Sequence, residues 1–239
     1  MTPTPNWDGT YATTRTELHR VAAHVIARRR FLVTDRFGLR VTPGGFGTPL
    51  FGDDEVVRID GTAVLREQRV DDRAVTSTHA LAGATLRDVA AFADVELDPA
   101  FSVGADTPEL GDVDAPLAID AASAAVMAEW YARGAEAVDA CVAGLGAAGD
   151  PSVAQIWPEH FDLGTDVAAG SGRANLGVSP GDGFSAEPYL YVGPRSADRP
   201  GDPAYWNVSF GALATWSEIT DADAAAAFFE RGIGYLADA

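Results

Sequence analysis

The chain contains no lysine and a single cysteine, Cys141. One cysteine leaves no disulfide within the chain. It falls on the apolar stripe of an expected helix, where a buried, inert thiol is the ordinary reading. The missing lysine excludes a phosphate-binding P-loop, which needs that ammonium after its glycines. The glycine-rich stretch Val41–Pro49, "VTPGGFGTP", is therefore not one. Nor does it open a helix, as a dinucleotide fingerprint must. All basic residues are arginine: 17, against 35 acids, for a net charge of -18. That balance argues against a nucleic-acid partner, because phosphate neutralisation supplies most of such affinity. It also disfavours docking on anionic membranes. No apolar run approaches the roughly 18 residues of a membrane helix. The N-terminal text has no basic region followed by an apolar one, so no secretory signal is read and a cytoplasmic protein is expected. No H-E-x-x-H, no cysteine pair and no calcium loop is present, so neither a metal nor a cofactor is implied.

A chain of 239 residues, 47% apolar, is long enough for one large domain or two closely joined halves. Residues 11–30 read as an amphipathic helix, with Leu18, Val21, Ala22, Val25 and Ile26 at helical spacing. Strands are expected at 39–42, at 55–67 as a hairpin turning on Asp60-Gly61, and at 74–81. That hairpin register sets Val57 against Val64 and Glu55 against Arg66. A short helix capped by Thr85 follows. Residues 98–118, acidic and proline-rich, read as a linker between a first half, 1–97, and a second half, 119–239. The second half begins with the longest helix, 119–145. Strands near 153–157, 161–168, 173–179, 187–193 and 205–210 come next, and a helix over 221–237 closes the chain. The fold class is α+β: mainly antiparallel sheet covered by long helices, in two similar halves. "LRVTPGGFGTPLF" (39–51) and "LGVSPGDGFSAEPYLY" (176–191) share Leu, Val, Pro, Gly and Phe in order, which suggests an internal repeat. In both, Pro followed by Gly is the signature of a type II turn.

The most informative stretch is "IWPEHFDLGTDV" (156–167). Alternation places His160, Asp162 and Asp166 on one strand face. A tight hairpin sets Asp162 near Ser179 and Asp166 near Asn175. Tyr189, Tyr191 and Asn207 extend that face on later strands, with Asp182 at its edge and Trp157 beside it. Such a face can bind a small polar molecule or a partner chain, and that reading is ranked first. The alternative is a metal-independent hydrolase-like enzyme with His160 as base and Asp162 or Asp166 orienting it. Against both stands the plain solvated face of an antiparallel sheet. His19 and His24 read as helix flanks, because five positions apart they cannot share a ligand.

"TYAT" with "LHRVAAHV" (10–25), "GLRVTP" (38–43) and "HFDLG" (160–164), followed by Gly172-Arg173, resemble a mostly actinobacterial family known only as a domain of unknown function. The resemblance implies no activity and no catalytic residues.

Overall fold

The computed structural model describes residues 6–237. The chain divides into two compact units, Met1–Glu129 with Ile156–Phe161, and Trp130–Gln155 with Asp162–Ala239. Residues 1–5 and 238–239, the outer ends of the two expected halves, lie outside the described residues.

In the first unit the N-terminal helix is longer than the apolar spacing predicts. A π-helical turn, Trp7–Tyr11, runs into α1 (Ala12–Val21), a π-helical segment Ala22–Ala27, and α2 (Arg28–Thr34). The residues at helical spacing, Leu18, Val21, Ala22, Val25 and Ile26, are all buried. The run ends at Asp35, which adopts the left-handed conformation (φ 58°) that commonly terminates helices.

Strands β1 (Arg40–Thr42), β2 (Gly45–Gly47), β3 (Val56–Asp60), β4 (Ala63–Val70) and β5 (Arg73–Ala80) form an antiparallel meander in sequence order. Thr42 pairs with Gly45, and Gly44 has φ 77°, so Pro43-Gly44 make the type II turn expected of them. The β3–β4 register differs from expectation. Asp60 pairs with Ala63 and Val57 with Arg66, so the loop residues are Gly61-Thr62 rather than Asp60-Gly61. Only Gly61 has a positive φ, 57°. A turn with glycine first asks for one left-handed residue and spares the β-branched Thr62. Glu55 and Arg66 still meet, as a 3.0 Å ion pair. The β4–β5 hairpin closes on Asp71 and Asp72, both left-handed, the two-residue turn that matches strand twist.

Helix α3 (Leu86–Phe92) starts with a capping box: Thr85 accepts from the Asp88 backbone N–H and Asp88 reaches back to Thr85. Residues 98–118, expected as a linker, are fastened to the first unit along their length. Arg20 donates to the carbonyls of Leu110 and Asp112, His24 bonds the Pro108 carbonyl at 2.7 Å, and the Leu117 N–H donates to Ala84. Prolines and acids break regular structure here, and side chains of the N-terminal helical run satisfy freed carbonyls instead.

The second sheet has the order β10-β9-β8-β7-β6, with β6 (Gln155–Trp157), β7 (Asp162–Ala169), β8 (Gly172–Ser179), β9 (Tyr189–Pro194) and β10 (Ala212–Thr215). Helix α4 (Ala121–Leu145) carries the boundary between the units. In the second unit its Trp130 is fully buried and donates its indole N–H to the Ser179 carbonyl at 2.8 Å. A Cβ on Gly134 would stand 2.4 Å from Val178 Cγ1, so glycine sets how closely α4 approaches β8. Helix α5 (Ala222–Ala237) buries Ala225, Phe229, Ile233 and Leu236. Each large apolar side chain so buried is worth roughly 1.5–3 kcal/mol.

The strand expected over 205–210 is not formed. Tyr205 donates its hydroxyl to the Phe228 carbonyl of α5 and packs edge-on against Trp206 and Tyr235, which draws the segment out of the ladder. The last strand starts after Gly211 instead. Both sheets are five-stranded antiparallel meanders, but the two Pro-Gly turns sit at different points of them. Pro43-Gly44 closes β1 onto β2, whereas Pro180-Gly181 leads out of β8 into the loop before β9.

Candidate functional site

The face that the alternation picks out exists in the second unit. Asp166 pairs with Asn175, Gly177 with Tyr191, and Ser179 with Tyr189, so these side chains share one side of β7, β8 and β9. Asp162 precedes the Leu163–Val178 pair and falls on the same side. This face is not a washed surface. Asp162, Ser179 and Tyr189 are buried. The Tyr191 hydroxyl donates to the Asp162 carboxylate, and the Tyr189 hydroxyl donates to Asp182 at 2.6 Å. Burial, reinforced by the neighbouring carboxylate, pushes both phenols above their ordinary value, so both act as fixed donors rather than proton carriers.

Most polar groups of this face are engaged internally. Asp182 also accepts from the N–H groups of Phe184 and Ser185, closing the loop after β8. Ser179 Oγ accepts from the Gly181 N–H. Asp166 binds Arg173 and, at 2.8 Å, Arg195. Asn175 is exposed. Phe184 and Phe210 complete an aromatic cluster with Tyr189 and Tyr191 and are themselves 58% and 37% exposed. Phe184 stands in irregular text between expected strands, and Phe210 closes the strand expected over 205–210, so periodicity marked neither as part of this face.

His160 does not continue this row. It lies in a turn of the first unit, and Phe161 takes a left-handed φ of 58°, which breaks the alternation ahead of Asp162. Its carboxylate neighbours there are Asp106, 3.3 Å from Nδ1, and Glu159, 3.8 Å from Nε2. The three could each offer one metal-ligand atom within 4.8 Å of the others. Glu159 is already used: its carboxylate covers Gly104 and accepts from the Asp106 N–H. Sequence reasoning missed Asp106 because it lies in the supposed linker. Trp157 belongs to the first unit also, 40% exposed.

Asn207 stands outside the sheet and closes its edge. Its amide accepts from the Leu213 N–H and donates to the Leu213 carbonyl, both at 2.9 Å. It occupies the position a further strand would take against β10.

Beside Asn207 opens a cleft of about 450 Å³. Its walls are the apolar side chains of Leu213, Ile219 and Phe228, and its polar rim carries Asp202, Glu218 and Arg231. Glu218 accepts from Thr215. The Arg231 guanidinium, on α5, makes no hydrogen bond or ion pair with any of the described residues. Pockets that combine apolar walls with a few convergent polar groups are the ordinary form of small-molecule sites. Cys141 is buried, and that burial pushes its thiol up to about 11.

No family model, curated protein or solved structure matches the chain. Among the described residues, no helix is long and apolar enough to cross a membrane.

Proposed function

We propose that the second unit binds a small polar ligand carrying an anionic group, in the cleft between β10 and α5. One observation carries this reading: the uncompensated Arg231 guanidinium at the rim of an apolar-walled cleft. A carboxylate or phosphate there gains a charge-assisted hydrogen bond, while the ligand body lies against Phe228, Leu213 and Ile219. Asp202 and Glu218 stand on the same rim, so the anionic group has to seat on the guanidinium itself, where the charge-assisted bond offsets the repulsion of so acidic a chain. The Asp162–Tyr191 and Asp182–Tyr189 hydrogen bonds then brace the sheet rather than touching the ligand.

The test is a thermal-shift screen of small organic acids and sugar phosphates, followed by calorimetry on any hit. Arg231→Gln should weaken binding at least tenfold without altering unliganded unfolding. Absence of any hit, or a hit whose affinity survives Arg231→Gln, overturns the proposal. A hydrolase built on His160 finds less support. That imidazole is half exposed, and the carboxylates beside it are Asp106 and Glu159 rather than Asp162 or Asp166.

A further inference from the structure

The two sheets treat their terminal strands differently. The outer edge of β10 is sealed. Gly211 exchanges hydrogen bonds with Val208, Asn207 covers both backbone groups of Leu213, and Glu218 accepts from the Thr215 N–H. The outer edge of β5 has nothing comparable. The two-residue turn at Asp71-Asp72 makes Val70 and Arg73 a hydrogen-bonded pair, and the ladder then alternates. The Leu81 N–H donating to the Thr62 carbonyl confirms that phase. Odd-numbered residues of β5 therefore bond to β4. Ala74, Thr76, Thr78 and Ala80 point their N–H and C=O groups outward, where they meet no partner among the described residues. The strand is eight residues long, and all but His79 are exposed. It has no proline, no bulge and no charge beyond Arg73, the usual devices against edge pairing.

We infer that β5 is a docking edge for a second copy of this chain, paired antiparallel about a two-fold axis at Ser77. The strand is its own complement in that register. Thr76 faces Thr78 of the other copy and Ala74 faces Ala80, so four facing pairs each exchange two N–H···O bonds between outward groups. Side chains agree with the backbone. The outward-bonding residues are Ala and Thr, Ser77 meets Ser77, Val75 meets His79, and Arg73 lies beyond the facing pairs, so no like charges are opposed. The chain carries no acid between Asp72 and Asp88, so two strongly acidic molecules meet at a stretch free of acid. A heterologous strand could use the same hydrogen bonds, but self-pairing needs no further sequence to explain the match. A single-strand contact lies at the small end of specific interfaces, so the association is reversible and concentration-dependent.

Sedimentation equilibrium over about 5–300 μM provides the first readout, since contacts of this size are weak. The chain should pass from monomer to dimer across that range. Thr76→Pro removes an outward N–H that the β4 ladder does not use, and edge positions tolerate proline. It should raise the dimer dissociation constant at least tenfold. Thr78→Lys, a second edge-blocking change, should do the same if the proline perturbs the hairpin. Ser77→Cys puts two thiols opposite each other with Cα atoms about 4.5 Å apart, within disulfide reach. Mild oxidation should crosslink it quantitatively, with buried Cys141 as the unreactive internal control. A chain monomeric throughout the range overturns the inference. So does a dimer indifferent to Thr76→Pro and Thr78→Lys, or one that Ser77→Cys fails to crosslink.

Discussion

The ring of Tyr191 lies directly over Gly177 of the neighbouring strand: a Cβ on Gly177 would stand 1.9 Å from Tyr191 Cζ. The two residues are cross-strand partners, and the absent side chain lets the phenol lie flat and reach Asp162 on the strand beyond. Gly177→Ala should therefore displace the ring and break its hydrogen bond, at a cost of about 1–3 kcal/mol for overpacking. Urea unfolding measures the loss. Tyr191→Ala should cost stability by itself but remove most of the further effect of Gly177→Ala, because the clash partner is gone. Additive losses in the double variant would show that the ring does not set the glycine requirement.

Glu55 is buried and accepts from Arg29 and Arg66, with bonds of 2.9–3.0 Å to the former. Burial by itself raises its carboxyl, but the two guanidinium groups outweigh that and hold it below the ordinary range. Glu55→Ala leaves the two half-buried guanidinium groups with only the exposed Asp94 carboxylate as an anion, so the expected loss is about 1–3 kcal/mol. Replacing Arg29 by Met in that variant should recover part of it. If Glu55→Ala unfolds at the same urea concentration as the parent chain, the triad contributes nothing net.

His19 on α1 and His24 on the π-helical segment after it bond loop carbonyls, at 2.8 Å to Pro158 and 2.7 Å to Pro108. Burial lowers His19 to about 4, against the raising effect of its carbonyl bond, and lowers His24 too. A depressed imidazole binds its proton more weakly in the folded chain than in the unfolded one. Stability is thus complete above the unfolded value of about 6.5 and falls as pH drops toward 4. The full His19 shift corresponds to roughly 3 kcal/mol at the acid end. The urea midpoint should decline between pH 7 and pH 5, before most carboxylates titrate, and His19→Gln should flatten that decline. An unchanged slope in His19→Gln would assign the acid limb to other groups.

What could be read in the sequence followed from periodicity, and what could not followed from tertiary bonds. The alternation over Asp162–Val167 and Ala174–Ser179 put the right residues on one face because the strand period of two leaves no other choice. The Thr85 cap and the Pro43-Gly44 turn are local chemistry and were equally legible. His160 was misplaced because one left-handed residue, Phe161, stops the period, and nothing in its identity announces it. Segment 98–118 looked like a linker because its carbonyls find partners more than 80 residues away on the N-terminal helical run, a distance no local pattern records. Asn207 was read as a ligand group for the same reason. Its polar character was visible, but not that the sheet edge consumes both ends of its amide.

That edge role gives a residue-resolved expectation. With Asn207 in place, the Leu213 N–H and C=O are bonded as though a further strand were present. Leu213 faces Tyr191 across the ladder, and its outward N–H has no alternative acceptor on β9. Asn207→Ala exposes both groups to water, which costs about 1 kcal/mol per hydrogen bond at most. The global effect is therefore modest, but the local one is not. Amide exchange at Leu213 should accelerate at least tenfold, while Ala212 and Ala214, whose N–H groups point inward to β9, keep their protection. The Gly211–Val208 bonds and the Glu218–Thr215 bond still cover the rest of that edge, so Asn207→Ala should leave the oligomeric state as it is in the parent chain. If exchange accelerates equally at all three amides, Asn207 holds the whole strand in place rather than sealing its edge. If higher species form, the Asn207 amide is the main protection of the β10 edge.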